Sequence, residues 1–185
     1  MDSNLTHNDS NLLRKMTTYL PKKLIIRSKK NEIFPEIAND LLNQDCETSV
    51  LINFKNFSKD KKWLQYSLEL KNPLKTLDFK SDNFLLCLSP MNELNKLHKD
   101  LKTFLTSPEI NFYRFEPVEP CFELTVEKDT IGESKGIKLH LWVDSGNAEF
   151  AYYTWDAFGI RLYTTQEEIN NFVEGLEELL NGLNE

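Results

Sequence analysis

The sequence predicts an α+β domain in which an antiparallel sheet carries two main helices packed on one face. Closely spaced segments alternate apolar and polar side chains, as half-buried antiparallel strands do. Two longer segments instead repeat apolar residues at helical spacing. The strand segments also follow one another directly, whereas a parallel βαβ fold would need a crossover helix after nearly every strand.

The 185 residues are enough to bury one sizeable core. We expect residues 1–47 to be an N-terminal extension and residues 48–185 to be the main domain. In the extension, residues 12–20 and 34–42 have short helical patterns, and residues 22–27 predict a strand or a segment docked on the main domain.

The first part of the main domain reads as strands at residues 50–54, 63–70, 74–79 and 83–88. In the second of these, the even-numbered residues from Leu64 to Leu70 should face the core. Ser89-Pro90 then predicts the start of a helix over residues 90–106. We place Glu93 and His98 on its solvated face.

The second part predicts strands at residues 121–126, 137–143 and 148–163, followed by a helix over residues 165–182. Thr165 and Glu168 have the spacing of a capping box, and Gly182 is a suitable end signal. Seven apolar residues share one stripe of this helix: Ile169, Phe172, Val173, Leu176, Leu179, Leu180 and Leu183. We expect that stripe to pack on the sheet.

No motif for nucleotide binding, hydrolysis or zinc-dependent catalysis occurs in the sequence, so we expect neither an enzyme nor a cofactor. The cysteines at 46, 87 and 121 form no CxxC pair, which favours free thiols. His140 should point away from the core. Asp144, Glu149 and Asp156 surround one hairpin, and a solvated turn explains them better than a metal site does.

The formal charge of −7 is unevenly distributed along the chain. Residues 1–107 hold 17 Lys and Arg against 13 Asp and Glu, a balance of +4, whereas residues 108–185 hold 5 against 16, a balance of −11. Such a field disfavours nucleic acid and favours a basic protein partner. An acidic surface that serves only solubility explains the same charge equally well.

Cytoplasmic localisation is the expectation from the remaining composition. No window is apolar enough for a membrane span, and the first residues lack the pattern of a signal peptide. We therefore expect no membrane association.

The acidic second part also contains a cluster of aromatic residues, which suggests a protein-binding surface. The residues that we predict to contact a partner are Trp142, Tyr153, Trp155, Glu149, Asp156, Glu174, Glu177 and Glu178. In the alternative interpretation, the N-terminal segment covers the aromatic face.

Four segments together suggest a family. Lys62-Trp63-Leu64 opens a strand, residues 93–97 lie in the first helix, residues 119–124 (EPCFEL) form a strand, and residues 165–169 (TQEEI) begin the last helix. This succession, over about residues 48–183, resembles the WapI-type immunity proteins of bacterial polymorphic toxin systems. Phe122 and Glu123 depart from the more regular strand pattern of that family.

The resemblance implies a non-enzymatic protein that binds a cognate toxin domain and blocks its active site or its access to substrate. The charge pattern suggests that this toxin is a basic nuclease. Two alternatives stay open: a small-ligand-binding or enzymatic α+β domain with a site between sheet and helices, and an adaptor module. The sequence leaves the oligomeric state and the identity of the toxin undetermined.

Overall fold

A computed structural model describes residues 22–29, 32, 48–57, 62–80, 87–118, 121–131, 134–144 and 157–184. These ranges contain nine strands and two α-helices. The helices predicted at residues 12–20 and 34–42 lie outside the described residues, and so does most of the strand predicted at 83–88.

The first sheet is antiparallel and has five strands. They are β1 (Lys22–Arg27), β2 (Ser49–Phe57), β3 (Leu64–Lys71), β4 (Thr76–Phe79) and β5 (Cys87–Leu88). The order is β1-β2-β3-β4, and β5 pairs with the beginning of β3. The strand predicted at 22–27 is confirmed, and it contributes Leu24 and Ile26 to the core. The domain boundary at residue 47 stays a prediction.

The second sheet is also antiparallel and has the order β6-β7-β8-β9. Its strands are β6 (Phe112–Phe115), β7 (Phe122–Ile131), β8 (Ser134–Asp144) and β9 (Ala157–Thr164). The sequence patterns did not predict β6, which is only four residues long.

The α+β class and the antiparallel pairing are therefore confirmed, but the strands form two sheets rather than the single sheet that we predicted. A helix separates β5 from β6 in the chain, and the later strands pair with one another. The sheets meet where β1 and β9 end. There the Lys29 N–H donates to the Tyr163 carbonyl at 2.8 Å, and the Thr164 hydroxyl donates to the Arg27 carbonyl at 2.8 Å.

The two helices pack against each other. A π-helical turn (Pro90–Leu94) leads into α1 (Asn95–Thr106), which contacts β6, and α2 (Gln166–Asn184) contacts β1. The Glu168 N–H donates to the Thr165 hydroxyl at 3.3 Å, so Thr165 caps α2 as predicted. The Glu168 carboxylate accepts the Arg27 N–H at 3.3 Å, which ties the start of α2 to the end of β1. The helix continues beyond Gly182, so the predicted end there was wrong.

One hydrophobic core joins both helices to the inner faces of both sheets. The even-numbered residues of β3 are buried as predicted, and so are the apolar residues of α2 from Ile169 to Leu180. Tyr66 of β3 packs edge-on against Phe122 of β7 with ring centroids 5.6 Å apart. This contact links the two sheets directly.

Two polar residues of α1 and the turn before it are less exposed than the sequence suggested. Glu93 is only 6% exposed, because its carboxylate accepts the Ser89 N–H at 2.6 Å and the Val118 N–H at 2.5 Å. His98 lies between the helices, with its Nε2 atom buried and 3.9 Å from the Glu177 carboxylate. Placing both residues on a solvated face was therefore wrong.

Candidate partner-binding surface

The second sheet has one buried face and one outward face, because successive side chains along each strand point to opposite sides of the sheet. In β8, Leu139, Leu141 and Val143 are buried, while His140 and Trp142 point the other way. We call the outward side the outer face. It is formed by Phe112, Arg114, Glu123, Thr125, Glu127, Lys138, His140, Trp142, Gly159, Arg161 and Tyr163.

Trp142 occupies the centre of one row across this face. Strand register places it between Glu123 of β7 and Gly159 of β9. The indole lies directly over Gly159, since a Cβ atom there would overlap its Cδ2, Cε3 and Cζ3 atoms. The side chain is still 44% exposed. One part of the indole thus packs on the Gly159 backbone, and the remainder of the ring faces solvent.

The next row brings cationic and neutral groups beside Trp142. His140 lies between Thr125 and Arg161 in the register. Burial, and after it the charges of Arg161 and Lys138, lower the pKa of His140, which is therefore mainly neutral at pH 7. Its Nε2 atom is buried and has no hydrogen-bond partner among the described residues.

Two of the three basic side chains on the outer face are already paired. Arg114 lies 2.8 Å from the Glu123 carboxylate and 3.0 Å from that of Glu116. Lys138 lies 3.3 Å from the Asp129 carboxylate and 3.4 Å from that of Glu127. A hydrogen bond to Asp129 is the main reason that the pKa of Lys138 is raised.

Arg161 differs from those two residues. No carboxylate in the described part of the chain lies within ion-pair distance of its guanidinium, and the side chain is exposed. Its fork of N–H donors is therefore available to a bound partner. The outer face consequently combines an indole that packs on Gly159 with a guanidinium that has no carboxylate partner in the described ranges.

The predicted acidic residues of α2 lie elsewhere and are partly neutralised. Glu174, Glu177 and Glu178 are all exposed. Glu178 forms an ion pair with Lys22 of β1, and the Glu177 carboxylate lies 3.8 Å from the Lys102 Nζ atom. The acidic face of α2 therefore has basic partners. Residues far from α2 in sequence supply these cations.

The predicted contact residues that the structure describes do not share one surface. Trp142 faces away from the core, whereas the α2 glutamates lie on a helix that packs against β1 and α1. Glu149, Tyr153, Trp155 and Asp156 lie outside the described residues.

Sequence reasoning also missed Gly159 and Arg161 as neighbours of Trp142. Alternation within residues 157–163 places Gly159, Arg161 and Tyr163 on one side of a strand, so that part of the signal was present. The sequence pattern did not, however, indicate the cross-strand register that places these residues beside Trp142.

Comparison with known protein families gives a match over most of the chain. The model of the immunity protein WapI-like family matches residues 41–184. The chain belongs to this family. The matched range includes both helices and every described strand after β1, and it confirms the resemblance seen over residues 48–183.

Membership of this family gives the chain an immunity role and implies a toxin as its protein partner. No curated protein matches the sequence at a significant level.

Among the described helices, none is long and apolar enough to cross a membrane. In the same part of the chain, no group of three or more His, Cys, Asp and Glu residues is placed to hold a metal ion.

Proposed function

We propose that this protein binds the toxin domain of a bacterial polymorphic toxin and neutralises it without catalysis. Binding would cover the active site of the toxin or block its access to substrate. The observation that carries this proposal is the family match over residues 41–184, which extends across both sheets and both helices. Because the toxin would act on its own producer in the cytoplasm, we place the protein there.

The geometry of the second sheet supports a protein as the partner. Trp142 stands on an open, nearly central strand, where a flat protein surface can reach it. Exposed tryptophan and arginine side chains are the residue types that most often dominate the binding energy of protein interfaces. A small ligand would instead be held in a concave pocket.

The charge distribution supports a basic toxin, and we propose that it is a nuclease. Residues 108–185 carry a balance of −11. Nucleases bind phosphate through basic surfaces, and an acidic protein raises its rate of encounter with such a surface. The ion pairs of Glu177 and Glu178 reduce the local field of α2, but they leave the net charge of the chain unchanged.

Co-expression tests this proposal. The toxin domain encoded by the reading frame directly upstream should stop growth when expressed alone, and co-expression of this protein should restore growth. The two proteins should also co-purify, and an unrelated acidic protein of similar size serves as control. Failure both to bind and to restore growth would refute the proposal. A toxin that leaves RNA and DNA intact would refute the nuclease assignment alone.

A further inference from the structure

We propose that the toxin docks on the outer face around Trp142 and Arg161, and that it presents an apolar recess to the indole beside a carboxylate that receives the guanidinium. This inference rests on the proposed function, because the occupant is the toxin domain. It adds the surface, the two anchor residues and the chemistry of the toxin surface that they contact.

The first argument is the preorganisation of Trp142. An exposed tryptophan on a helix or loop must lose side-chain freedom when it binds. Here the ring already rests on the Gly159 backbone, where no Cβ atom displaces it. The unbound protein therefore holds an aromatic anchor in a fixed position, and binding requires little further ordering.

The second argument is the contrast between Arg161 and the other basic groups on the same face. Arg114 and Lys138 are each paired with two carboxylates. Arg161 has no such partner in the described ranges, and His140 beside it is mainly neutral. A planar guanidinium with free donors is best satisfied by a carboxylate, which it can bind through two parallel hydrogen bonds.

The third argument is the arrangement of these groups. His140 and Trp142 are two residues apart on β8, about 7 Å along the strand. Arg161 lies opposite His140, and so on the diagonal from Trp142 within reach of a long side chain. The paired charges of Arg114 and Lys138 lie beyond these residues and form a polar rim. An anchored centre with a satisfied polar rim is the usual layout of a specific protein interface.

This surface and the acidic field have separate roles. Net charge acts at long range and governs the association rate, whereas buried contacts govern the dissociation rate. A basic toxin can therefore be attracted by the overall negative charge and still contribute one carboxylate to Arg161. The two effects are distinguishable because only the first depends strongly on salt.

Binding kinetics with a catalytically inactive toxin domain from the upstream reading frame test the inference. Trp142→Ala should weaken binding by about 30-fold or more, and Arg161→Ala by about 10-fold, mainly through faster dissociation. Leu74→Ala is the matched control for the indole, because Leu74 is 96% exposed in the turn before β4 of the other sheet. Lys23→Ala removes the same charge as Arg161→Ala, but from β1. Both controls should stay within about twofold of wild type.

Hydroxyl-radical footprinting measures whether the toxin protects the outer face from oxidation, and it needs no substitution. In the complex, oxidation of Trp142 should fall several-fold, while oxidation of Met91, which is 66% exposed on the π-helical turn, should not change. This measurement keeps the test valid if a variant folds poorly, which circular dichroism would reveal.

The outcomes separate the two proposals. If wild type does not bind the toxin, both the proposed function and the docking surface are refuted. If wild type binds, but both variants bind equally well and Trp142 stays oxidisable, the docking surface is wrong while the function stands. Light scattering tests whether a second copy of this chain binds the outer face instead. If wild type is a dimer and Trp142→Ala is a monomer, the outer face binds a second copy and not the toxin.

Discussion

Replacement of Glu93 by alanine should strongly destabilise the fold. The carboxylate is buried and accepts the Ser89 N–H at 2.6 Å and the Val118 N–H at 2.5 Å. It thereby joins the start of the first helical segment to the loop between β6 and β7. Each hydrogen bond to a charged group contributes about 1.5–3 kcal/mol, so losing both should cost about 3–6 kcal/mol. For a chain of this length that corresponds to a fall in Tm on the order of 10 °C.

Urea denaturation and thermal melting monitored by circular dichroism measure this effect. Glu93→Gln keeps one acceptor oxygen but turns an NH₂ group toward the other N–H, so we expect about half of the loss or more. Glu109→Ala is the control, because Glu109 is an exposed acidic residue after α1; it should change stability by less than about 0.5 kcal/mol. If Glu93→Ala melts as the control does, the carboxylate does not bridge the two segments.

Three further predictions concern the core, the pH dependence and the charge. Leu176→Asp should abolish cooperative folding, because it places an unpaired charge at a fully buried position; an unchanged Tm would show that α2 is not docked there. Burial raises the pKa of Tyr66, so above about pH 10 the unfolded chain loses a proton that the folded chain keeps, and stability should fall. Tyr66→Phe should flatten that alkaline fall at little or no cost at pH 7, because the hydroxyl lacks a partner among the described residues; an equally steep fall in urea titrations would contradict this. A triple variant with Gln in place of Glu174, Glu177 and Glu178 should associate more slowly with the toxin, and its association rate should depend less on salt. Stopped-flow kinetics at two salt concentrations measure this effect, and an unchanged rate would exclude electrostatic steering by α2.

Alternation and helical spacing were sufficient to predict most of the described elements. The even-numbered residues of β3 are buried and the stripe of α2 faces the core because each pattern follows from the geometry of its own segment. The outward direction of Trp142 follows in the same way from its buried neighbours Leu141 and Val143. The strand β6 was missed because its sequence is Phe-Tyr-Arg-Phe, in which polar and apolar side chains do not alternate.

The local sequence therefore determined the α+β class, the helices and the direction of the apolar side chains in β3, β8 and α2, and the order of its segments indicated the family. Only the tertiary structure decided that the strands form two sheets, since pairing depends on which segments meet after the chain turns back through a helix. It also decided that Glu93 is buried against Val118 and that Lys22 reaches Glu178, 156 residues away. Above all, it placed the Trp142 ring on the Gly159 backbone, and it placed Arg161 beside His140 with no ion-pair partner among the described residues. Cross-strand register creates those contacts, and register is a property of two segments together that neither sequence pattern contains alone.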